Sequence, residues 1–180
     1  HRGVDQGEGR VARDGATTQP IRLPRRKVEN LLAYLVLHPQ PNGHARQELA
    51  TLFWGDNPDQ QARMSLRTSL AVLRKALGND ALLAEHDFVL LNPDFKLWVD
   101  VREFLKMRGS SSDAERAVEL YHGDLLADCY DDWALRERER LRALYIETLL
   151  RLTQEMRSQS EYERALAFAR KVLAADSTNE

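Results

Sequence analysis

Apolar residues recur at helical intervals along most of this 180-residue chain. From Arg25 to Leu37 they fall on one face as Val28, Leu31, Leu32 and Leu35, which predicts a helix. Pro39, Pro41 and Gly43 break it, and a short second helix is expected from Ala45 to Phe53, burying Leu49, Leu52 and Phe53. The longest clear pattern in this half is NPDQQARMSLRTSLAVLRKAL, residues 57–77. At 100° per residue, Leu66, Leu70, Leu73 and Leu77 line up beside Ala62, while the opposite side carries Gln60, Gln61, Met64, Arg67, Thr68, Ala71 and Lys75. Asn57 suits the N-cap, Pro58 the first turn, and Gly78 the stop.

Beyond Gly78 the period shortens. Leu82–Leu83, Phe88–Leu91 and Lys96–Val99, separated by His86-Asp87 and Asn92-Pro93-Asp94, predict a β-hairpin or three-strand ribbon. Two further short strands are expected near Gly9–Arg13 and Pro20–Leu23, turning at Asp14-Gly15. After Gly109 and Ser110–Ser112, read as a flexible joint, the pattern is helical again. A short helix is expected over Asp113–Tyr121, and a long one from Asp131 or Asp132 to Ser158. A last helix over Glu161–Ala175 should bury Tyr162, Ala165, Leu166, Ala169, Val172 and Leu173. The final pair resembles a tetratricopeptide repeat in which Ser160 and Ser177 replace the expected Gly and Pro. One such repeat leaves a face to be covered by another chain or by further helical-repeat modules.

A helix with an apolar stripe and a polar back has two readings, a solvated surface helix or a helix laid in a DNA major groove. The mixture of amides, a hydroxyl, small residues and cations at 60–75 is what base edges and phosphates require. A helix, a tight connection and a second, longer helix with that outer face form a helix-turn-helix, and the hairpin after it makes the winged variant.

Charge divides the chain. Residues 1–109 hold sixteen Lys or Arg against thirteen Asp or Glu, and residues 110–180 hold ten against fifteen. The first half therefore suits an anionic partner and the second does not, although the net charge is -2. The single cysteine, Cys129, excludes an internal disulfide framework and fits a reducing cytoplasm. No apolar run reaches the roughly 20 residues of a membrane span, so no membrane partner is expected. The start at His1 reads as that of an excised piece.

The segments RRKVENLLAYL, LATLFWGDNPDQQARMSLRTSLAVLRKAL, VLLNPDFKLWVDVREF, AVELYHGDLLAD and DWALRERERLRALYIETLLRL resemble, in order and spacing, the bacterial SARP-type transcriptional regulators. The resemblance spans about residues 9–180. It implies a mainly α protein with a small β component: an OmpR-like winged-helix DNA-binding domain over 1–109, then a helical, tetratricopeptide-like bacterial transcriptional activator domain over 110–180. It implies double-stranded DNA and RNA polymerase as partners, with homodimers or other helical-repeat modules as further ones. On matching positions it assigns DNA contacts to Gln61, Met64, Arg67, Thr68 and Lys75, with Arg25, Arg26, His44 and Arg46 on the backbone. In that family the wing also reaches DNA; here its tip, Glu85-His86-Asp87, departs from the pattern with two acids.

Catalysis finds no support. There is no phosphate-cradling glycine loop, no zinc-spaced histidine pair and no nucleophile with a readable base, so neither cofactor nor metal is expected. Asp124, Asp128, Asp131 and Asp132 lack the spacing of a calcium loop and read as helix caps. The alternative to a DNA-binding regulator is an interaction module of a larger signalling protein whose winged helix no longer binds DNA.

Overall fold

The computed structural model describes residues 11–13, 21 and 23–176. It is mainly helical, with short antiparallel strands, and divides into two compact units between Trp98 and Val99. The elements of the N-terminal unit are β1 (Val11–Arg13), α1 (Arg26–Leu37), β2 (His44–Ala45), α2 (Arg46–Trp54), α3 (Asp59–Leu77), β3 (Leu82–Glu85), β4 (Phe88–Leu91) and β5 (Leu97–Val99). A single 3-10 turn, Asn79–Ala81, links α3 to β3.

The predicted stripe of α3 is the centre of this unit. Ala62, Leu66, Leu70, Leu73 and Leu77 are all buried, and α3 packs against both α1 and α2. Val28, Leu31, Leu32, Leu35 and Val36 come from α1, and Leu49, Ala50 and Phe53 from α2. Leu52, expected inside, faces solvent, because α2 turns Leu49 and Phe53 toward α3 and leaves Leu52 off that arc. The α2–α3 turn is tight enough to demand glycine: a Cβ on Gly55 would lie 2.6 Å from the Thr51 carbonyl oxygen.

Three details of the sequence reading change. Pro58, with φ -55° and ψ 143°, is the N-cap of α3 in place of Asn57, whose side chain caps nothing. Because Pro58 itself is extended at ψ, the first helical residue is Asp59, one position later than expected. The sheet has the order β2-β4-β3, with His44 opposite Val89 and Leu83 opposite Leu90, so the residues expected to open the second helix supply an edge strand first. Finally, β5 leaves that sheet and pairs with β1. The strand expected near Gly9–Arg13 is thus found at Val11–Arg13, whereas its turn at Asp14-Gly15 and most of Pro20–Leu23 lie outside the described residues.

The C-terminal unit holds α4 (Asp100–Met107), α5 (Ala114–Leu120), α6 (Asp132–Ser158) and α7 (Tyr162–Asp176). Its core joins Phe104, Ala117, Val118, Leu141, Tyr145, Leu149, Leu152, Met156, Ala165 and Phe168. Phe104 moves the domain boundary upstream of the expected joint at residues 109–110. Its ring is buried beside Tyr121 and Tyr145, so α4 belongs with the helices that follow. Gly109–Ser112 is an intradomain turn, with the Ser110 hydroxyl donating to Asp113 at 3.0 Å. Arg138 braces the next connection by donating to the carbonyls of Leu125, Leu126 and Cys129 at 2.6–3.0 Å.

α6 and α7 form an antiparallel pair, as the repeat-like pattern predicts. The faces differ from the expectation, however: Ala165 is buried, but Tyr162 and Leu173 are 67% and 70% exposed and Leu166 is also outside. One neighbouring helix covers one arc of α7, and the other apolar arc has no described element over it. Ser160 closes the turn at φ 62°, a left-handed conformation that favours glycine, while the Glu161 amide donates to the Met156 carbonyl at 2.9 Å. Ser160→Gly should therefore raise the stability of this unit by about 0.5–1 kcal/mol, read as an increased midpoint in urea with unchanged slope.

Candidate nucleic-acid interface

The polar back of α3 is wholly at the surface. Gln60, Gln61, Met64, Arg67, Thr68, Ala71 and Lys75 are exposed, as is Arg63. Met64, 64% exposed, puts an unbranched apolar side chain in the middle of this face. The Thr68 hydroxyl donates to the Met64 carbonyl at 3.0 Å, so its proton is committed and it meets an outside group as an acceptor or through its methyl. Between Asp59 and Leu77 the helix carries Arg63, Arg67, Arg74 and Lys75 against Asp59 alone. Local placement thus supplies what a net charge of -2 does not.

The cations at the start of α1 separate into different roles. Arg25 is the exposed N-cap of that helix, and Arg26 is exposed in its first turn. Lys27 is exposed but leans across to α2: its ammonium donates to the Phe53 carbonyl at 3.0 Å, a cation at the C-terminal end of α2 where the helix dipole favours it. All three side chains are exposed, and the Lys27 ammonium is the one tied to α2.

His44 is not placed to meet phosphate. It is 3% exposed, its Nε2 donates to the His38 carbonyl at 2.7 Å, and its ring lies 5.3 Å from that of Tyr34. Tyr34 in turn stacks on His38 and meets Phe53 edge-on, so these rings join the end of α1 to β2 and α2. A histidine in a polar, proline-rich connection gave no sign of this, because the burial comes from α1 and α2 closing over it. Arg46 is half-buried: its backbone amide donates to the Asp87 carbonyl at 2.7 Å, and its Nε is buried with no hydrogen-bond partner among the described residues. The start of α2 is thereby tied to the hairpin turn. That turn is two residues long, with Glu85 opposite Phe88 and His86 at φ 47°, and Glu85, His86 and Asp87 are all exposed. Lys96 is exposed beyond it, and Arg102 lies on α4 in the other unit.

Two residues of α3 escaped the sequence reading. Arg63 and Arg74 fall within about 40° of Arg67 on the helical wheel, a signal present in the sequence but hidden by their nearness to the leucine stripe. Arg63 donates through Nε to Gln47 Oε1 of α2 at 2.9 Å.

A small cavity of about 30 Å³ in the C-terminal unit is lined by Asp100, Phe104, Tyr121, Asp124, Leu141 and their neighbours, with room for a water or two. Asp124, read from the sequence as a cap, instead pairs with Arg142 at 2.5 Å; Asp131 is the N-cap of α6 through its backbone. Among the described residues no three His, Cys, Asp or Glu side chains converge to hold a metal ion, and no helix is long and apolar enough to cross a membrane.

Residues 103–180 match the family model of the bacterial transcriptional activator domain. The match begins within α4 and runs through α7, over the same helices that form the C-terminal unit. It supports a role in the regulation of transcription, and the family is one of regulatory domains and not of enzymes. No curated protein matches the chain.

Within this unit Tyr121 stacks on Tyr145 with ring centroids 4.2 Å apart. Burial, reinforced by the Asp124 carboxylate and opposed by Arg142, pushes the Tyr121 phenol up to about 12. A phenol titrating higher folded than unfolded stabilises fully below the unfolded value near 10 and loses that contribution as pH rises toward 12. Urea stability should fall between pH 10 and 12, and Tyr121→Phe should make that fall shallower.

Proposed function

We propose that this chain is a sequence-specific DNA-binding transcriptional regulator, with residues 11–98 acting as a winged helix and α3 as its recognition helix. The observation that carries this reading is the outer face of α3, which combines amides, a hydroxyl, an exposed methionine and four cations on a helix fixed by a tight turn. A hairpin follows it in winged-helix order, and residues matching an activator domain come next in the chain. In this reading Gln61, Met64 and Thr68 meet base edges: Gln61 through its amide, Met64 through apolar contact with a thymine methyl, and Thr68 as an acceptor. Lys75, Arg67, Arg25 and Arg26 neutralise phosphates. Arg46 is a weaker phosphate candidate than the sequence implied, since its guanidinium is half-buried, and His44 is none. The C-terminal unit would act in activation, as the matched domain's name suggests, and the family resemblance makes RNA polymerase its partner.

A specific observation also favours a second reading. The outer arc of α7 exposes Tyr162, Leu166 and Leu173, and the wing tip is acidic, both of which suit a protein-interaction module. Fluorescence titration with mixed promoter fragments at about 50 mM salt separates the two, because even non-specific phosphate binding appears there; no binding favours the interaction module. On the DNA reading, Lys75→Ala should weaken binding equally on all sequences and reduce the salt slope by about one. Gln61→Ala should instead lower affinity for the selected site by about 1–3 kcal/mol with little effect on random DNA. Equal losses on both duplexes would remove Gln61 from base readout.

A further inference from the structure

We infer that Arg63 is a phosphate anchor whose guanidinium is held in position by Gln47, an inference that rests on the DNA-binding reading of α3. The stripe Ala62, Leu66, Leu70, Leu73 and Leu77 points inward, so Met64, Thr68, Ala71 and Lys75 occupy the middle of the outer face. Arg63, Arg67 and Arg74 lie along one edge of it, the edge that includes the contact with α2. An α-helix with its side chains is about 10–12 Å wide and the major groove about 12 Å. The middle of such a helix meets base edges, and its flanks abut the phosphates of the groove walls. Three arginines along a flank are therefore placed for backbone and not for bases.

Arg63 differs from Arg67 and Arg74 in being tethered. Its Nε donates to Gln47 Oε1 at 2.9 Å across the α2–α3 pair, and it forms no ion pair with a described residue, Asp59 one turn earlier included. A guanidinium has five N–H donors in a fixed plane. Occupying Nε leaves both terminal nitrogens as a fork that matches two phosphate oxygens. The neutral amide of Gln47 fixes that fork without cancelling its charge, whereas a carboxylate there would neutralise it and repel the phosphate. Holding a long side chain in its bound geometry also reduces the rotamer entropy lost on binding.

The test uses the whole chain, a duplex enriched from a random-sequence pool and an unselected random duplex, titrated by fluorescence anisotropy from about 50 to 200 mM salt. Arg63→Ala should weaken binding to both duplexes by a similar factor, roughly tenfold, and reduce the salt slope by about one. Gln47→Ala should weaken binding about threefold, leave the slope unchanged, and have no further effect once Arg63 is Ala. Loss confined to the enriched duplex would make Arg63 a base reader, and an equal Gln47→Ala effect in both backgrounds would show that Gln47 does not act through Arg63; either overturns the inference. Unchanged binding by Arg63→Ala while Lys75→Ala still weakens it would overturn the inference and leave the DNA reading standing. A wild-type chain that binds neither duplex at about 50 mM salt would overturn both. Both side chains are exposed, and unchanged thermal melting of each variant will show that the fold is retained.

Discussion

Leu66, Leu70, Leu73 and Leu77 of α3 are packed against α1 and α2, and their burial decides which side of the helix is left for solvent. A rotation of α3 by one residue, about 100°, would take the leucines out of the core and bring Arg67 and Arg74 toward it. The cost of exposing several leucines while burying two guanidinium groups far exceeds the stability of a domain this size. The polar face is consequently the complement of the core, and its side chains are held in register by apolar contacts on the opposite side. The turn at Gly55 supports the same arrangement, since the close approach of the Thr51 carbonyl leaves no space for a side chain.

Charge in the N-terminal unit acts through placement. Lys27 is directed to the C-terminal end of α2, Arg46 is partly withdrawn at the base of the hairpin, and the cations of α3 are exposed or half-exposed against one acid. An excess of three positive charges over residues 1–109 therefore becomes a concentrated basic face on one helix. The acidic hairpin tip stands on a different element, where two carboxylates would repel phosphates brought close to it. On the proposed reading α3 provides most of the DNA contact, with Arg25 and Arg26 as the outlying cations.

The C-terminal unit is organised around aromatic and leucine contacts of α6. Phe104 from α4 enters this core with Tyr121 and Tyr145, which is why the division of the chain falls before α4 and not at the serine-rich turn. The match to the activator domain includes α4 from its fourth residue, and so follows the packing. α7 is secured by Ala165 and Phe168, with Val172 and Ala175 half-buried against the same core and Tyr162, Leu166 and Leu173 outside.

The helices other than α4, the stripe of α3, the stop at Gly78 and the two-residue hairpin turn were legible from local periodicity and turn chemistry, because each depends on residues within a few positions of one another. The exposed positions of α3 followed from the same periodicity, Arg63 and Arg74 being readable there too. Other features needed distant partners. His44 is buried by Tyr34 and Phe53, Lys27 is redirected by a carbonyl 26 residues away, β5 pairs with β1, and Phe104 joins helices that begin after the apparent joint. Periodicity identifies which residues share a face. It cannot say how wide an arc the neighbouring helices will cover, and so Leu52, Tyr162, Leu166 and Leu173 were assigned to a core that the packing leaves open. The sequence by itself determined which segments are helical and which side of α3 is polar, since both are local properties of the chain. Only the tertiary structure decided which polar groups remain available to a partner, because that depends on what the fold brings against them.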